Sequence, residues 1–411
     1  MQIKLLKQQG KVIHMRKLIK KSIWGLSFLA SMIMMGINLK SASAATVLSE
    51  EIMGNVKQFV ISEDGEDDFG IIQKCISSNG DAGVFIILQP GTYYIEEAFK
   101  VFNNTTITAT GSTIVETVNG KGFVMNCRFE GSKYGNGQGG YNSCKNIIVD
   151  GGTWVGTYKP DPTKRKKSDG FYVGYSGFMF MHGKNITVKN ASFKNNYNGH
   201  FIEFAGIKNG KIVNCNMNIK GSKYVGESNN EAIQIDNTYA KENSPIGAPW
   251  DDTPCVNITV QGCNIKYVRG IGTNRIGTSS YVNINILENT ILSTKGEGIN
   301  AYDIIGLKVC NNTVKVLHKK DDYTSVGLYL GLDSKINTWG TYSTLISDNK
   351  ITGYSAGIKI VGFNGATFEK VSIKNNNLLS RKSKENALVI PYKGKQIKNL
   401  INSRNILKKA A

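Results

Sequence analysis

The chain lacks the cysteine spacings of metal-binding and redox motifs. Its seven cysteines form no Cys-x-x-Cys pair and no other pattern of metal ligands, so no metal site is expected from them. Cys215, Cys263 and Cys310 lie beside strand-like repeats, and we expect them to be small buried hydrophobic residues. The chain also has no basic motif with interleaved aromatic residues. A nucleic-acid partner is therefore not expected.

Long apolar runs are missing after residue 45, so no membrane span is expected there. Residues 1–44 combine a basic start that has no acidic residue, an apolar stretch and the small residues "SASAA". This pattern predicts a secretory signal peptide, with its start at Met1 or Met15, and a secreted, extracellular domain at 45–411. Loss of eight Lys and Arg residues with the leader lowers the formal charge from +19 to +11. A basic protein of this kind favours an anionic neighbour, such as an acidic polysaccharide.

Short β-branched strands recur along the chain, each followed by a polar turn and one apolar residue. Examples are "NITVKNASF" (185–193), "NGKIVNCNM" (209–217), "NITVQGCNI" (257–265) and "KVSIKNNNL" (370–378). Turn positions such as Asn190 and Asn214 are 24 residues apart. Strands at this period, with no helical segments between them, predict an all-β, single-stranded parallel β-helix, which is a solenoid. Asn side chains at the turns are expected to form hydrogen-bonded ladders.

A solenoid exposes apolar residues at its ends and needs a cap. The segment "EDDFGIIQKCIS" (66–77) predicts a short amphipathic helix that places Ile71, Ile72, Cys75 and Ile76 on one side. We expect this helix to cover the N-terminal end of the solenoid.

The segments "DGEDDFGIIQKCI", "LQPGTYYI", "NTTITATGSTI" and "NIIVDGGTW" resemble the N-terminal region of the pectate-lyase-like superfamily. The resemblance covers roughly residues 57–405 and implies a right-handed β-helix, distantly similar to polygalacturonases. That superfamily contains hydrolases, lyases, epimerases and phage depolymerases, so the fold does not settle the reaction. The polygalacturonase motifs Asn-Thr-Asp, Asp-Asp, Gly-His-Gly and Arg-Ile-Lys are not intact here, and pectin hydrolysis is not carried over.

A second strand in each repeat carries the candidate site. Alignment of these strands by their inward apolar pairs predicts an outward column of Met179, Glu203, Gln234, Gly272, Asn300, Tyr329 and Lys359. Where the chain enters the strands, four successive repeats present His200, Glu231, Arg269 and Glu297 in one line. The small residues that follow them, Ala232, Gly270, Gly298, Gly327 and Gly357, are expected to form the floor of a trough.

Glu231 and Glu297 lie two coils apart, so their backbones are expected about 9.6 Å from each other. Inverting glycosidases hold their acid and base carboxyl groups about 6.5–9.5 Å apart, which makes this pair a candidate for those roles. His200 and Asp236 complete the catalytic candidates. The candidates for substrate binding are Glu203, Gln234, Arg269, Asn274, Arg275, Asn300, Tyr302 and Trp250. Asp251 and Asp252 offer a further carboxylate pair, and Tyr224 and Tyr239 further aromatic walls.

The first interpretation is therefore a polysaccharide glycoside hydrolase that needs no cofactor and acts as a monomer. The second interpretation is a calcium-dependent lyase of the same fold. Such enzymes hold calcium with clustered acidic residues and use Arg or Lys as the base. Glu203, Glu231 and Asp236 are the corresponding acids here, with Arg269 as the base. A non-catalytic glycan-binding or surface protein is the third, in which Glu231, Arg269 and Glu297 form only a salt-bridge ladder.

Overall fold

The structure, a computed structural model, describes residues 45–63, 68–118, 121–126, 139–156, 176–195, 199–218, 230–239, 249–274, 277–333, 342–390 and 396–410. The predicted signal peptide, Tyr224, Arg275, residues 219–229 of the first long loop and residues 240–248 of the second lie outside these residues. Among the described residues, no helix has the length and apolar character needed to cross a membrane.

Three sheets make up the described chain, and each turn of the chain visits them in the order sheet 1, sheet 2, sheet 3. Sheet 1 contains Thr46–Met53, Val56–Ser62, Val84–Leu88, Thr105–Thr108, Cys144–Asp150, Gly183–Lys189, Lys208–Val213, Val256–Gln261, Tyr281–Leu287, Ile304–Ile305, Leu307–Cys310, Ser343–Ser347, Phe368–Lys374 and Ile397–Ser403. Sheet 2 contains Thr92–Ile95, Thr113–Glu116, Thr153–Val155, Ser192–Lys194, Asn216–Asn218, Asn264–Tyr267, Thr290–Ser293, Thr313–Val316, Lys350–Gly353, Asn377–Ser380 and Ile406–Lys409. Sheet 3 contains Phe99–Val101, Val124–Asn126, Phe178–Met181, Ile202–Ala205, Glu231–Asp236, Arg269–Thr273, Ile299–Tyr302, Val326–Asp333, Ala356–Phe363 and Leu388–Val389.

Neighbouring strands belong to successive turns of the chain and pair in parallel, apart from the first pair. The alternation of apolar and polar residues directs one side of each strand inward, where residues such as Ile258, Ile265 and Ile271 are buried. The predicted parallel β-helix is therefore confirmed.

The turn between sheets 1 and 2 explains the recurring Asn. Asn190, Asn214, Glu288, Asn311 and Asn375 all have φ between 53° and 59°, the left-handed region that Asn tolerates better than most residues. One residue further on, a buried ladder runs between coils: Asn312 Nδ2 donates to Asn349 Oδ1 at 3.0 Å, and the same contact repeats along the chain. The predicted ladders exist, and the buried one satisfies backbone carbonyls as well.

The predicted cap is a helix at Phe69–Ser77. It buries Ile72, Cys75 and Ile76 against Val84–Leu88, Thr92–Ile95 and Phe99–Val101, the first strands of the complete coils. Ile71 is only half-buried. Beyond the cap prediction, Thr46–Met53 forms an antiparallel hairpin with Val56–Ser62 at the edge of sheet 1.

Candidate glycan site on the third sheet

The register of sheet 3 matches the alignment made from the sequence. Glu203 pairs with Gln234, Gln234 with Gly272, and Gly272 with Asn300. The column continues through Tyr329 to Lys359. At the strand entry, Glu231 pairs with Arg269. The sequence pattern therefore brings the predicted polar residues onto one face of one sheet.

Arg269 contacts both carboxylates that were predicted as acid and base. Its Nη1 lies 3.1 Å from Glu231 Oε1, and its Nε lies 3.3 Å from Glu297 Oε2. Both glutamates are buried, whereas the Arg269 side chain is 21% exposed. Burial raises the pKa of Glu297, although the nearby guanidinium acts in the opposite direction. The arrangement is a partly shielded ion triad with one positive charge for two carboxyl groups.

Glu203 lies one coil before this triad and has a different environment. Its Oε2 accepts a hydrogen bond of 2.6 Å from the Ser176 hydroxyl. Burial raises the pKa of Glu203, and neither His200 nor the Ser176 hydrogen bond offsets this effect. His200 itself links two coils. Its Nδ1 lies 2.8 Å from the backbone carbonyl oxygen of Glu231, and it donates the hydrogen bond because a carbonyl oxygen only accepts.

Amide side chains surround Asp236. Gln234 Nε2 donates to Asp236 Oδ1 at 2.5 Å, and Asn274 Nδ2 donates to Asp236 Oδ2 at 3.1 Å. Two amide oxygens of the outward column, Gln234 Oε1 and Asn300 Oδ1, are buried and have no hydrogen-bond donor among the described residues. A buried acceptor without a donor costs about 1–3 kcal/mol, so these atoms mark a place suited to a ligand hydroxyl or to water.

The predicted glycine-floored trough is wrong. A Cβ added at Gly298 would lie 2.2 Å from Val314 Cγ1 and 2.7 Å from the Gly327 carbonyl oxygen. Gly270 is equally confined, by the Gly298 carbonyl and Ile291. These glycines therefore line the inner corner of the coil, where successive backbones approach closely. Gly272 is the one in the outward column, and the Glu231 side chain lies over it.

The loop carboxylates have structural partners. Asp251 Oδ1 accepts hydrogen bonds from Thr238 and Thr253, and Asp251 Oδ2 accepts one from the backbone N–H of Gly140. Burial tends to raise the pKa of Asp251, but the hydrogen bonds from Thr253, Thr238 and Gly140 and the nearby His182 lower it to about 2. Asp252 Oδ2 accepts hydrogen bonds from the 278–279 turn. Both residues anchor loops, while neighbouring Trp250 is 47% exposed.

Aromatic residues form a cluster at one end of the polar column. Tyr302 is a predicted binding residue and Tyr329 a predicted column residue, whereas their packing with Phe363 was not predicted. The Tyr302 ring centroid lies 5.6 Å from that of Tyr329 and 6.2 Å from that of Phe363. The Tyr302 ring rests on Gly331, where a Cβ would be only 2.2 Å from it. Lys359 Nζ lies 6.0 Å from the centroid of the Tyr329 ring. The signal was present in the sequence, because these aromatic residues occupy outward positions on three successive coils.

Calcium requires several oxygen ligands at one point. Within the described ranges, no group of three or more His, Cys, Asp and Glu side chains is placed to hold a metal ion. Glu203, Glu231 and Asp236 therefore do not form the acidic cluster that the lyase interpretation needs.

No family model matches the chain. Over 268 residues it is 27% identical to the plasmin and fibronectin-binding protein A of Streptococcus pneumoniae (strain ATCC BAA-255 / R6). The alignment covers 58% of this chain and 36% of that relative, so the chain spans little more than a third of its length.

Two solved structures share the architecture. The surface adhesin PfbA of Streptococcus pneumoniae matches with a TM-score of 0.53 at 16% identity, over 84% of this chain and 90% of PfbA. A hyperthermoactive exopolygalacturonase from Thermotoga maritima matches with a TM-score of 0.56 at 12% identity, over 88% of this chain and 94% of the enzyme. The chain therefore has the same parallel β-helix fold as these two proteins. One such β-helix is a surface adhesin and the other a glycosidase, so the fold leaves the activity open.

Proposed function

We propose that the chain is an exported protein whose third sheet binds an extended polysaccharide without cleaving it. The observation that carries this proposal is the position of Arg269 between Glu231 and Glu297. An inverting glycosidase leaves room for a water molecule between its acid and its base. Here a guanidinium group contacts both carboxylates, so the pair is better suited to holding Arg269 than to activating water.

Recognition of a glycan is supported by the buried acceptors. Sugar hydroxyl groups are hydrogen-bond donors, and Gln234 Oε1 and Asn300 Oδ1 each have the capacity to accept one. On the same strands or at their entries, the side chains of His200, Arg269 and Tyr302 are only half-buried and therefore reach the solvent. The likeness to a surface adhesin supports an exported location.

The test compares wild type with Asn300→Leu on a panel of plant, host and bacterial-wall polysaccharides. We expect wild type to bind at least one polymer, and Asn300→Leu to bind it about tenfold more weakly because one hydrogen bond is lost. Thr344→Val is the matched control, since Thr344 Oγ1 is also a buried hydroxyl without a partner but lies on sheet 1. It should leave glycan binding unchanged.

The same samples, with Glu231→Gln added, test the catalytic alternatives. Reducing ends released by wild type and lost in Glu231→Gln would overturn the proposal and support the hydrolase hypothesis for Glu231 and Glu297. An unsaturated product that absorbs in the ultraviolet and disappears with chelator would support the lyase. Failure of wild type to bind any of the polymers would also contradict the proposal.

A further inference from the structure

The outward face of sheet 2 carries lysines and no acids over most of its length. From Thr153–Val155 to Ile406–Lys409, the nine strands of this sheet contain no Asp or Glu. They contain Lys194, Lys266, Lys315, Lys350, Lys408 and Lys409. None of these lysines has an ion pair among the described residues, whereas Lys189 and Lys398 on sheet 1 pair with Asp150 and Glu369.

Three of the lysines lie in one line along the solenoid. Phe193 pairs with Met217, which places Lys194 beside Asn218, and Asn218 pairs with Lys266. Lys266 pairs with Leu292, which pairs with Lys315. Lysines thus occur on every second coil, about 9.6 Å apart. Buried residues alternate with them on each strand, so the amino groups face outward.

A second line of polar groups runs parallel to the lysines, two residues earlier on each strand. It consists of Ser192, Asn216, Asn264, Thr290 and Thr313. All but the half-buried Ser192 are exposed. Hydroxyl and amide groups of this kind exchange hydrogen bonds with sugar hydroxyls.

We infer that this face binds a linear acidic polysaccharide that lies parallel to the solenoid axis. The distance between successive lysines in the line Lys194, Lys266 and Lys315 is close to the length of a disaccharide. In a ribbon-like polysaccharide with a carboxylate on each sugar, every second carboxylate would therefore lie opposite a lysine. At an ionic strength of about 0.01 M the Debye length is about 30 Å, so charges at this spacing act together on a polyanion at low salt. The face is separate from the site proposed on sheet 3.

The experiment measures binding to immobilised polygalacturonate and to its methyl-esterified form, at low and at physiological salt. The test variant combines Lys194→Gln, Lys266→Gln and Lys315→Gln. Its control combines Lys145→Gln, Lys211→Gln and Lys308→Gln, which removes the same charge from exposed positions on sheet 1. We expect the test variant to bind polygalacturonate about tenfold more weakly at low salt, and the control to change by less than about twofold.

Equal losses in the two triple variants would overturn the inference, since they would show attraction to net charge rather than to this face. Equal binding of the esterified polymer would also overturn it, because the carboxylates would then play no part. Preference for a phosphate-bearing wall polymer would replace the proposed partner with a different one. Asn300→Leu should retain this interaction, which separates it from the site on sheet 3.

Discussion

Glu203 shows how burial alone changes the chemistry of a residue. The side chain belongs to an ordinary polar position of the strand Ile202–Ala205, yet it is 5% exposed and its described hydrogen-bond donor is the hydroxyl of Ser176. Desolvation disfavours the ionised form and raises its pKa above the ordinary value of 4.5.

A raised pKa in the folded state predicts a loss of stability as the pH increases. The folded protein holds the Glu203 proton at pH values where the unfolded chain has released it. The contribution of this group to stability is therefore fully present below about pH 4.5 and is lost as the pH rises toward the folded pKa. Glu203→Gln cannot ionise, and we expect its free energy of unfolding to fall less steeply with pH. Urea unfolding between pH 4 and pH 8 measures this, with exposed Glu288→Gln as control. Parallel curves for wild type and Glu203→Gln would contradict the assignment.

The sequence predicts the position of His200 but not the contact that its side chain makes. Its position at the edge of the charged line follows from the alignment of coils, and the register of sheet 3 agrees. The contact of its Nδ1 with the backbone carbonyl of Glu231 does not follow, because it depends on a side-chain rotamer and on the path of the next coil.

At the scale of one element, the directions of the first residues in each strand of sheet 3 depend on how closely successive coils approach there. The period-2 pattern places the small residues at the strand entries on the outward face, and it therefore predicts that they form the floor of a trough. The chain bends there, so their Cα–H bonds point toward the next backbone instead. The alternation of inward and outward residues holds along the middle of a strand and fails at its entry, where the chain arrives from the preceding sheet.

Gly298→Ala tests this correction. The new methyl group would meet Val314 Cγ1 and the Gly327 carbonyl oxygen, and we expect the free energy of unfolding to fall by about 1–3 kcal/mol. In the cap helix, a Cβ at Gly70 would have no neighbour within 4 Å. Gly70→Ala should therefore leave stability unchanged or raise it. Chemical denaturation of the two variants measures both effects, and similar values for them would show that the corner is not crowded.

At the scale of the whole molecule, a solenoid has two ends and each coil contacts only its neighbours. The N-terminal end carries the helix Phe69–Ser77. At the other end of the described chain, Ile397–Ser403 is largely exposed, including Leu400 and Ile401. Stability is therefore expected to differ along the solenoid.

Hydrogen exchange tests this expectation. Amides of Ile397–Ser403 should exchange by local opening, well before those of Val256–Gln261, which lies between two paired strands in the middle of sheet 1. Mass spectrometry of peptides from the two strands measures the difference. Equal protection would indicate that the solenoid opens as a single unit.

The sequence by itself determined the periodic features of this protein: the β-helix, the recurring polar turns, the cap helix and the column that holds Glu203, Gln234 and Asn300. These features follow from local chemistry that is repeated in every coil. The register is strongly specified as well, because a shift of one residue would move every side chain of a strand to the wrong face. Tertiary structure alone decided the corner packing of Gly298, the contact of Arg269 with two carboxylates and the environment of Glu203. Those depend on side-chain direction and on shielding from water, which arise only when several coils are stacked.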